Sequence, residues 1–136
     1  VTELLKSLDI SASGMKAQGT RLRVISENVA NAGSTALTPD GEPYRRKLVS
    51  FGAELDRQLG VDLVRVRRIG RDPSDFGQRY QPGHPAADGS GYVKTSNVNT
   101  LVEMADMREA QRSYEANLKV LQSSRTMLQR TIDLLR

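Results

Sequence analysis

Two long terminal helices around a small β-rich insert are what this sequence predicts, a mainly α chain. The helices are expected to pair as an antiparallel coiled-coil-like hairpin, completed by neighbouring subunits. Three observations carry the expectation. Apolar residues recur every seven positions near both ends of the 136-residue chain. Neither Pro nor Gly occurs from residue 98 to 136. All five prolines fall between the two apolar rows.

The first helix is expected over residues 2–31. Leu8, Met15, Leu22 and Val29 form an unbroken row, and beside it runs a mixed one of Leu4, Ser11, Gln18 and Ile25. That spacing is a helical stripe. Gly14 and Gly19 each cost about 1 kcal/mol against Ala in a helix interior, but permit close backbone approach. The helix should stop at Asn31-Ala32-Gly33, with Gly33 in the left-handed position that often closes a helix.

The middle zone, residues 34–97 between end zones 1–33 and 98–136, reads as strand and loop. Residues 44–51 and 61–69 are expected strands, the second alternating Val64 and Val66 with Arg65 and Arg67. Asp72-Pro73-Ser74-Asp75 is a turn, and residues 81–91 (QPGHPAADGSG) are loop.

The second helix is expected over residues 99–136, roughly 57 Å at 1.5 Å per residue. Asn97 and Asn99 offer capping side chains, and Thr100 to Glu103 has capping-box spacing. One row reads Met107, Tyr114, Leu121, Leu128, Leu135; its companion reads Met104, Gln111, Leu118, Arg125, Ile132. Asn31, Asn97 and Asn99 are expected to fix helix ends.

Helices this long cannot be covered by a sixty-residue insert. Polar residues in the seams (Ser11, Gln18, Gln111, Arg125) argue against a clean two-stranded coiled coil. Helices sharing several neighbours in an assembly tolerate such mixed seams. On periodicity alone, an ordinary intramolecular bundle is the commoner meaning of such stripes.

Composition excludes several functions. With no Cys there is no disulfide framework, thiolate zinc site or Cys nucleophile. His84 is the only histidine, which nearly excludes His metal clusters and a Ser–His dyad. No apolar run approaches 18 residues, so no span or membrane insertion is expected. Glu3, Lys6 and Asp9 interrupt the first ten residues, which therefore do not read as a secretory signal. No enzyme, cofactor or metal is expected. The net charge of +4 is spread thinly: four basic against three acidic residues in 1–31, ten against eight in 32–97, six against five in 98–136.

Each remaining candidate has a plain explanation. His84, between Gly83 and Pro85, lacks a partnered base or nucleophile and reads as a turn holder. Asp72 with Asp75, and Asp40 with Glu42, lack the ligand count of a calcium loop and read as turn chemistry. Lys6, Lys16, Arg21 and Arg23 are balanced by Glu3, Asp9 and Glu27, which argues against a membrane-surface helix. The basic run Arg65-Val-Arg67-Arg68-Ile-Gly-Arg71, helped by Arg45, Arg46 and Lys47, is the best nucleic-acid argument, although no aromatic interleaves it. A small basic helical nucleic-acid-associated protein is therefore the alternative reading. The preferred one is a solvated or subunit-facing strand, its arginines meeting acidic residues of neighbours; Glu54, Asp56 and Asp62 are this chain's acidic positions for such a contact.

Several segments resemble a known family. The stretch from Ser11-Ala-Ser-Gly-Met15 to Val29-Ala30-Asn31-Ala32-Gly33-Ser34-Thr35 is similar to the N-terminal signature of bacterial flagellar rod, hook and hook-associated axial proteins. Gly91-Tyr-Val-Lys-Thr-Ser96-Asn97-Val-Asn99, Glu103-Met-Ala-Asp-Met107 and Arg112-Ser-Tyr114-Glu-Ala-Asn117 resemble the proximal-rod branch of that family, as does the loop Gln81-Pro-Gly-His-Pro85-Ala-Ala-Asp88. Ser96 stands where the family usually has Pro, and the arginines around 65–71 belong to no family motif.

The resemblance implies a non-enzymatic structural subunit of the flagellar basal-body rod, assembling helically into the drive shaft for motility. The terminal helices would form an inner coiled-coil-like tube, with the middle segment packed outward. It implies as partners the other proximal and distal rod subunits, the MS-ring and rod-base adaptor proteins, and the flagellar type III export apparatus during transit, with no nucleic acid. It places the chain in the periplasmic rod, exported without a cleaved signal peptide. The residues expected at subunit interfaces are Leu8, Met15, Leu22, Ile25, Val29, Met104, Met107, Tyr114, Leu118, Leu121, Leu128 and Ile132.

Overall fold

A computed structural model describes all 136 residues. The order is α1 (Thr2–Ala30), β1 (Lys47–Asp56), β2 (Val61–Arg71), β3 (Gly77–Tyr80), β4 (Tyr92–Thr95) and α2 (Thr100–Leu134). The expected pair of terminal helices around a small β insert is present. The chain divides into two compact units. One comprises Val1–Leu22, Ser50–Arg68 and Arg108–Arg136; the other comprises Arg23–Val49 and Ile69–Met107.

α1 ends without a left-handed glycine, contrary to expectation: Gly33 is not among the two glycines with positive φ. The last turn closes itself instead. Both the backbone N–H and the side-chain amide of Asn31 donate to the Glu27 carbonyl, at 3.1 and 2.8 Å, and the Ala32 N–H donates to Val29. With those carbonyls satisfied, no αL residue is needed.

α2 is capped by Asn99, whose Oδ1 accepts from the N–H groups of Leu101 and Val102 at 3.0 and 3.4 Å. The capping box expected from Thr100 to Glu103 does not form. Thr100 is already helical, and the Glu103 carboxylate is drawn inward by Arg46 and Asn28.

In the first unit the two helices run antiparallel. Ser7 meets Ser124 through their hydroxyls at 3.1 Å, and Arg21 pairs with Glu109 at 3.6 Å. Between them, a Cβ built on Gly14 would lie 2.9 Å from Nδ2 of Asn117, so the glycine makes room for that side chain. Gly19, by contrast, faces open space. Ser11, Ala17, Ala110 and Ser124 are buried here, a seam of small residues with no aromatic in it.

This corrects the expected seam of α2. Its inward residues are Ala110, Asn117 and Ser124 in this unit and Glu103 in the other, seven apart. Met104 and Ile132, from the expected companion row, are 50% and 43% exposed. Small and polar residues face α1 because α1 presents Ser7, Ser11 and Gly14 at that level, and helices with short side chains approach closely.

β1 and β2 form one two-stranded sheet, joined by a four-residue turn. Asp56 makes that turn: its Oδ1 accepts from Gln58 and Leu59, and Gly60 takes φ +68°. β1 starts at Lys47 rather than Tyr44, because residues 44–46 are tied into the polar cluster described below. It continues to Asp56, beyond the expected end at residue 51, because β2 supplies a partner along that length.

β3 and β4 were not expected. They pair antiparallel in the second unit from Gly77 opposite Thr95 to Tyr80 opposite Tyr92, and Thr35 bridges to Thr95 on the other side. The loop between them follows the expected loop chemistry. Asp88 accepts from the Ser90 and Tyr92 N–H groups. Gly91 sits at φ +85° with the Tyr80 ring so close that a Cβ would approach it to 2.8 Å. The small core here is Ala36, Ala86 and Val93.

Candidate functional site

The densest chemistry lies in the second unit, on α1, the segment entering β1, and the first turn of α2. Asn28 and Glu103 are each 1% exposed, in a structure whose buried apolar residues are mostly alanine and valine. A buried carboxylate must be matched by donors. Glu103 receives two: the Nε–H of Arg46 and, at 3.2 Å, the side-chain amide of Asn28.

Arg46 uses its whole fork. Besides Glu103 it donates to Asp72 at 3.2 Å and to Asp106 at 3.3 Å, while its backbone N–H donates to Oδ1 of Asn97 at 2.7 Å. One guanidinium thus serves three carboxylates, the geometry to which Arg is suited. Burial works to lower its pKa, but the hydrogen bonds and charges of Glu103 and Asp72 outweigh it, and the net shift is upward.

Asp72 is held below its usual range chiefly by hydrogen bonds from the Ser74 N–H and hydroxyl, which outweigh the opposing effect of burial, with Arg46 adding to the lowering.

Asn28 works in both directions. Its Oδ1 accepts from the Tyr44 hydroxyl at 2.7 Å and the Lys47 N–H at 3.0 Å, and its amide donates to the Lys47 carbonyl at 3.0 Å. Burial, followed by the nearby charges of Glu27 and Glu103, raises the Tyr44 pKa above its ordinary 10.0. Lys47 reaches Glu27 at 3.0 Å, and that hydrogen bond is the main reason the Glu27 carboxyl is lowered.

Asn97 is bound on three sides as well. Its amide donates to the carbonyls of Asp72 and Ser74, both at 3.1 Å. It fastens the strand-and-loop insert beside the start of α2, while Asn99 does the capping. Arg45 donates to the same two carbonyls and lies 4.2 Å over the Phe76 ring.

Arg45, Arg46 and Lys47, expected to reinforce an exposed basic patch, are therefore consumed inside the chain. Every charged group of the cluster is matched to a partner, and the arrangement fixes segments far apart in sequence. Sequence reasoning missed Asn28 and Arg46 here. The available signal was that Asn28 continues the row Ser7, Gly14, Arg21 on α1.

His84 holds its turn as expected. Nδ1 accepts from the Ala86 N–H at 3.0 Å, which assigns the proton of the neutral ring to Nε2, 3.2 Å from the Thr35 hydroxyl.

The residues expected at interfaces are placed as follows. Leu8, Met15, Leu22 and Val29 are half-buried on α1, as are Met107, Tyr114, Leu118, Leu121 and Leu128 on α2. Ile25 is buried within the second unit, and Met104 and Ile132 are exposed. Reasoning from sequence passed over another row on α2 in the first unit: Val120, Met127 and Leu134, exposed at 47%, 55% and 87%.

Two family models match the chain. Residues 8–36 match the flagella basal body rod protein model, and residues 90–134 the C-terminal model of the flagellar basal body rod FlgEFG proteins. The flagellar basal-body rod protein FlgC of Agrobacterium fabrum is 57% identical over 127 residues, covering 93% of this chain and 91% of the relative. The chain belongs to the FlgC family.

The FlgC proteins of Salmonella typhimurium and Bacillus subtilis extend the comparison. They are 39% and 38% identical, covering 96% and 94% of this chain and 97% and 95% of their own lengths. Both matched models fall on the helical ends, and the more C-terminal one takes in β4, Asn97 and Glu103. These relatives give the nucleic-acid alternative no support.

Proposed function

We propose that this chain is a proximal-rod subunit that joins its neighbours through the outer faces of its terminal helices. Membership of the FlgC family makes it a structural subunit of the flagellar basal-body rod. The observation that carries the finer reading is the apolar row Val120, Met127 and Leu134 in the first unit, left open to solvent by the chain itself. Single exposed apolar residues are ordinary, but a row at seven-residue spacing on one helix marks an interaction face.

On this reading the chain performs no catalysis. Its partners are the other proximal and distal rod subunits and the MS-ring and rod-base adaptor proteins, with the type III export apparatus serving it during transit. The working location is the periplasmic rod. Leu8, Met15, Leu22, Val29, Met104, Met107, Tyr114, Leu118, Leu121, Leu128 and Ile132 border the subunit contacts, and Ile25 supports them from within.

The test is incorporation. Leu22→Asp and Leu121→Asp are expected to be absent from isolated basal bodies and to leave cells non-motile. Normal motility in both variants would sink the interface assignment.

A further inference from the structure

The basic run on β2 is left over once the polar cluster has taken Arg45, Arg46 and Lys47. In the first unit three of its arginines, Arg65, Arg67 and Arg68, are exposed on the strand. Arg65 has one carboxylate nearby, Glu54 at 3.8 Å, with both side chains well exposed. Arg67 forms no ion pair within the chain.

Arg67 nonetheless lies close against the neighbouring strand. A Cβ built on Gly52 of β1 would lie 2.8 Å from Arg67 Nε and 3.0 Å from its Nη2, so the guanidinium rests on bare backbone where any other residue would push it away. Its charge thus lies along the strand face with no carboxylate of the chain against it.

Alongside lies a groove of about 450 Å³ between the hairpin and α1. Ala17, Leu63, Val64 and Val66 give it an apolar lining, and its charged members are Lys16, Arg65 and Glu54, the last already facing Arg65, so that one basic charge of the groove is in excess.

We propose that the Arg65–Arg67 face, with this groove, is a docking surface for a carboxylate-bearing segment of a neighbouring rod subunit. The proposal rests on the rod-subunit reading above and names the chemistry of one of its contacts. Charge complementarity selects the occupant. β2 carries four arginines and no lysine. Arg is the residue enriched in protein interfaces, where its planar fork grips a carboxylate with two hydrogen bonds, whereas lysine is the usual charge that merely keeps an exposed strand from aggregating. The only aromatic of the hairpin, Phe51, is half-buried, so the face has none of the stacking platforms that single-stranded nucleic acid requires. The aliphatic groove matches a protein segment with an apolar residue beside its acid.

Zero-length carbodiimide cross-linking of isolated basal bodies tests this, because it joins a lysine amine to a touching carboxylate and ignores arginine. With Arg67→Lys, a new cross-link is expected to an Asp or Glu of another rod subunit, absent from the wild type. Rods that contain the variant but give no such cross-link, or a cross-link only within the chain, overturn the proposal while the rod reading stands. Absence of the wild-type chain from basal bodies overturns the rod reading itself.

Two further variants, each compared with wild type by circular dichroism, add a second readout. Arg65→Glu/Arg67→Glu should keep the wild-type circular dichroism and lower incorporation about tenfold or more, as close charge reversal does at interfaces. Gly52→Ala keeps every charge but displaces Arg67, and should lower incorporation in the same direction. Normal incorporation of both variants would overturn the proposal.

Discussion

Asn28 and Glu103, separated by 75 positions in the chain, meet at 3.2 Å with both side chains almost wholly excluded from solvent. Through that contact the last turn of α1 is tied to the first turn of α2, and Arg46 closes the arrangement from the entry to β1. Buried ionic groups of this kind contribute little net stability as a unit, yet removing one member strands the others.

Glu103→Ala and Arg46→Ala should therefore each destabilise the chain by about 3–5 kcal/mol, the range for breaking one side of a buried pair. The double variant should cost clearly less than the two single losses together, since no unmatched charge is left at that contact. Urea unfolding followed by circular dichroism measures all three. Additive losses would mean that the two groups act independently.

Acid should weaken the same region. Asp72 and Glu27 are held below their ordinary values of 3.8 and 4.5, the first chiefly by Ser74 and then Arg46, the second chiefly by Lys47. Carboxyls lowered in the folded state add stability that is complete above the unfolded values, because the unfolded chain takes up protons first as pH falls. Stability should hold while pH stays above the unfolded values and decline as pH drops through the lowered folded values. Asp72→Asn should be less stable than wild type at neutral pH, with the gap closing in acid. A gap that persists unchanged to low pH would assign the loss to packing rather than to charge.

Much of the fold was legible because its signals are local. The seven-residue apolar rows located both helices, and the absence of Pro and Gly fixed the length of α2 to within a few residues. His84 was readable as a turn residue from its Gly and Pro neighbours. The seam between the helices was not readable, because Ala110, Asn117 and Ser124 look like a solvent face until a partner with Gly14 and Ser7 is set against them. Arg46 was misread for a related reason. Three consecutive basic residues look like a surface patch, and only the topology brings Asp72, Glu103 and Asp106 to the middle one. β3 escaped notice because all four of its residues are exposed and give no alternation.

The two glycines of α1 should behave oppositely. At Gly19 nothing lies within 4 Å of an added Cβ, so Gly19→Ala should gain up to about 1 kcal/mol from helix propensity. At Gly14 the same methyl group would meet Asn117 at 2.9 Å, so Gly14→Ala should forfeit that gain and Gly14→Leu should destabilise outright. Thermal unfolding of the three variants checks the order. Equal stabilisation by both alanines would show that the helices do not approach closely at Gly14.

The outer row of α2 offers the sharpest separation of folding from assembly. Val120 and Met127 are about half exposed, one turn before and one turn after buried Ser124. Surface substitutions away from packed positions change stability by only about 0.5 kcal/mol in either direction. Val120→Asp and Met127→Asp should therefore leave the unfolding midpoint of the isolated chain nearly unchanged. In the rod, each would place a carboxylate against an apolar neighbour, where an unpaired charge is strongly disfavoured. Incorporation into basal bodies should then be lost in both variants although the isolated chain is intact. Leu121→Asp, half-buried within the chain, should lose both stability and incorporation. If Val120→Asp and Met127→Asp assemble as well as wild type, this row faces solvent in the rod, and the subunit contacts must lie elsewhere on the helices.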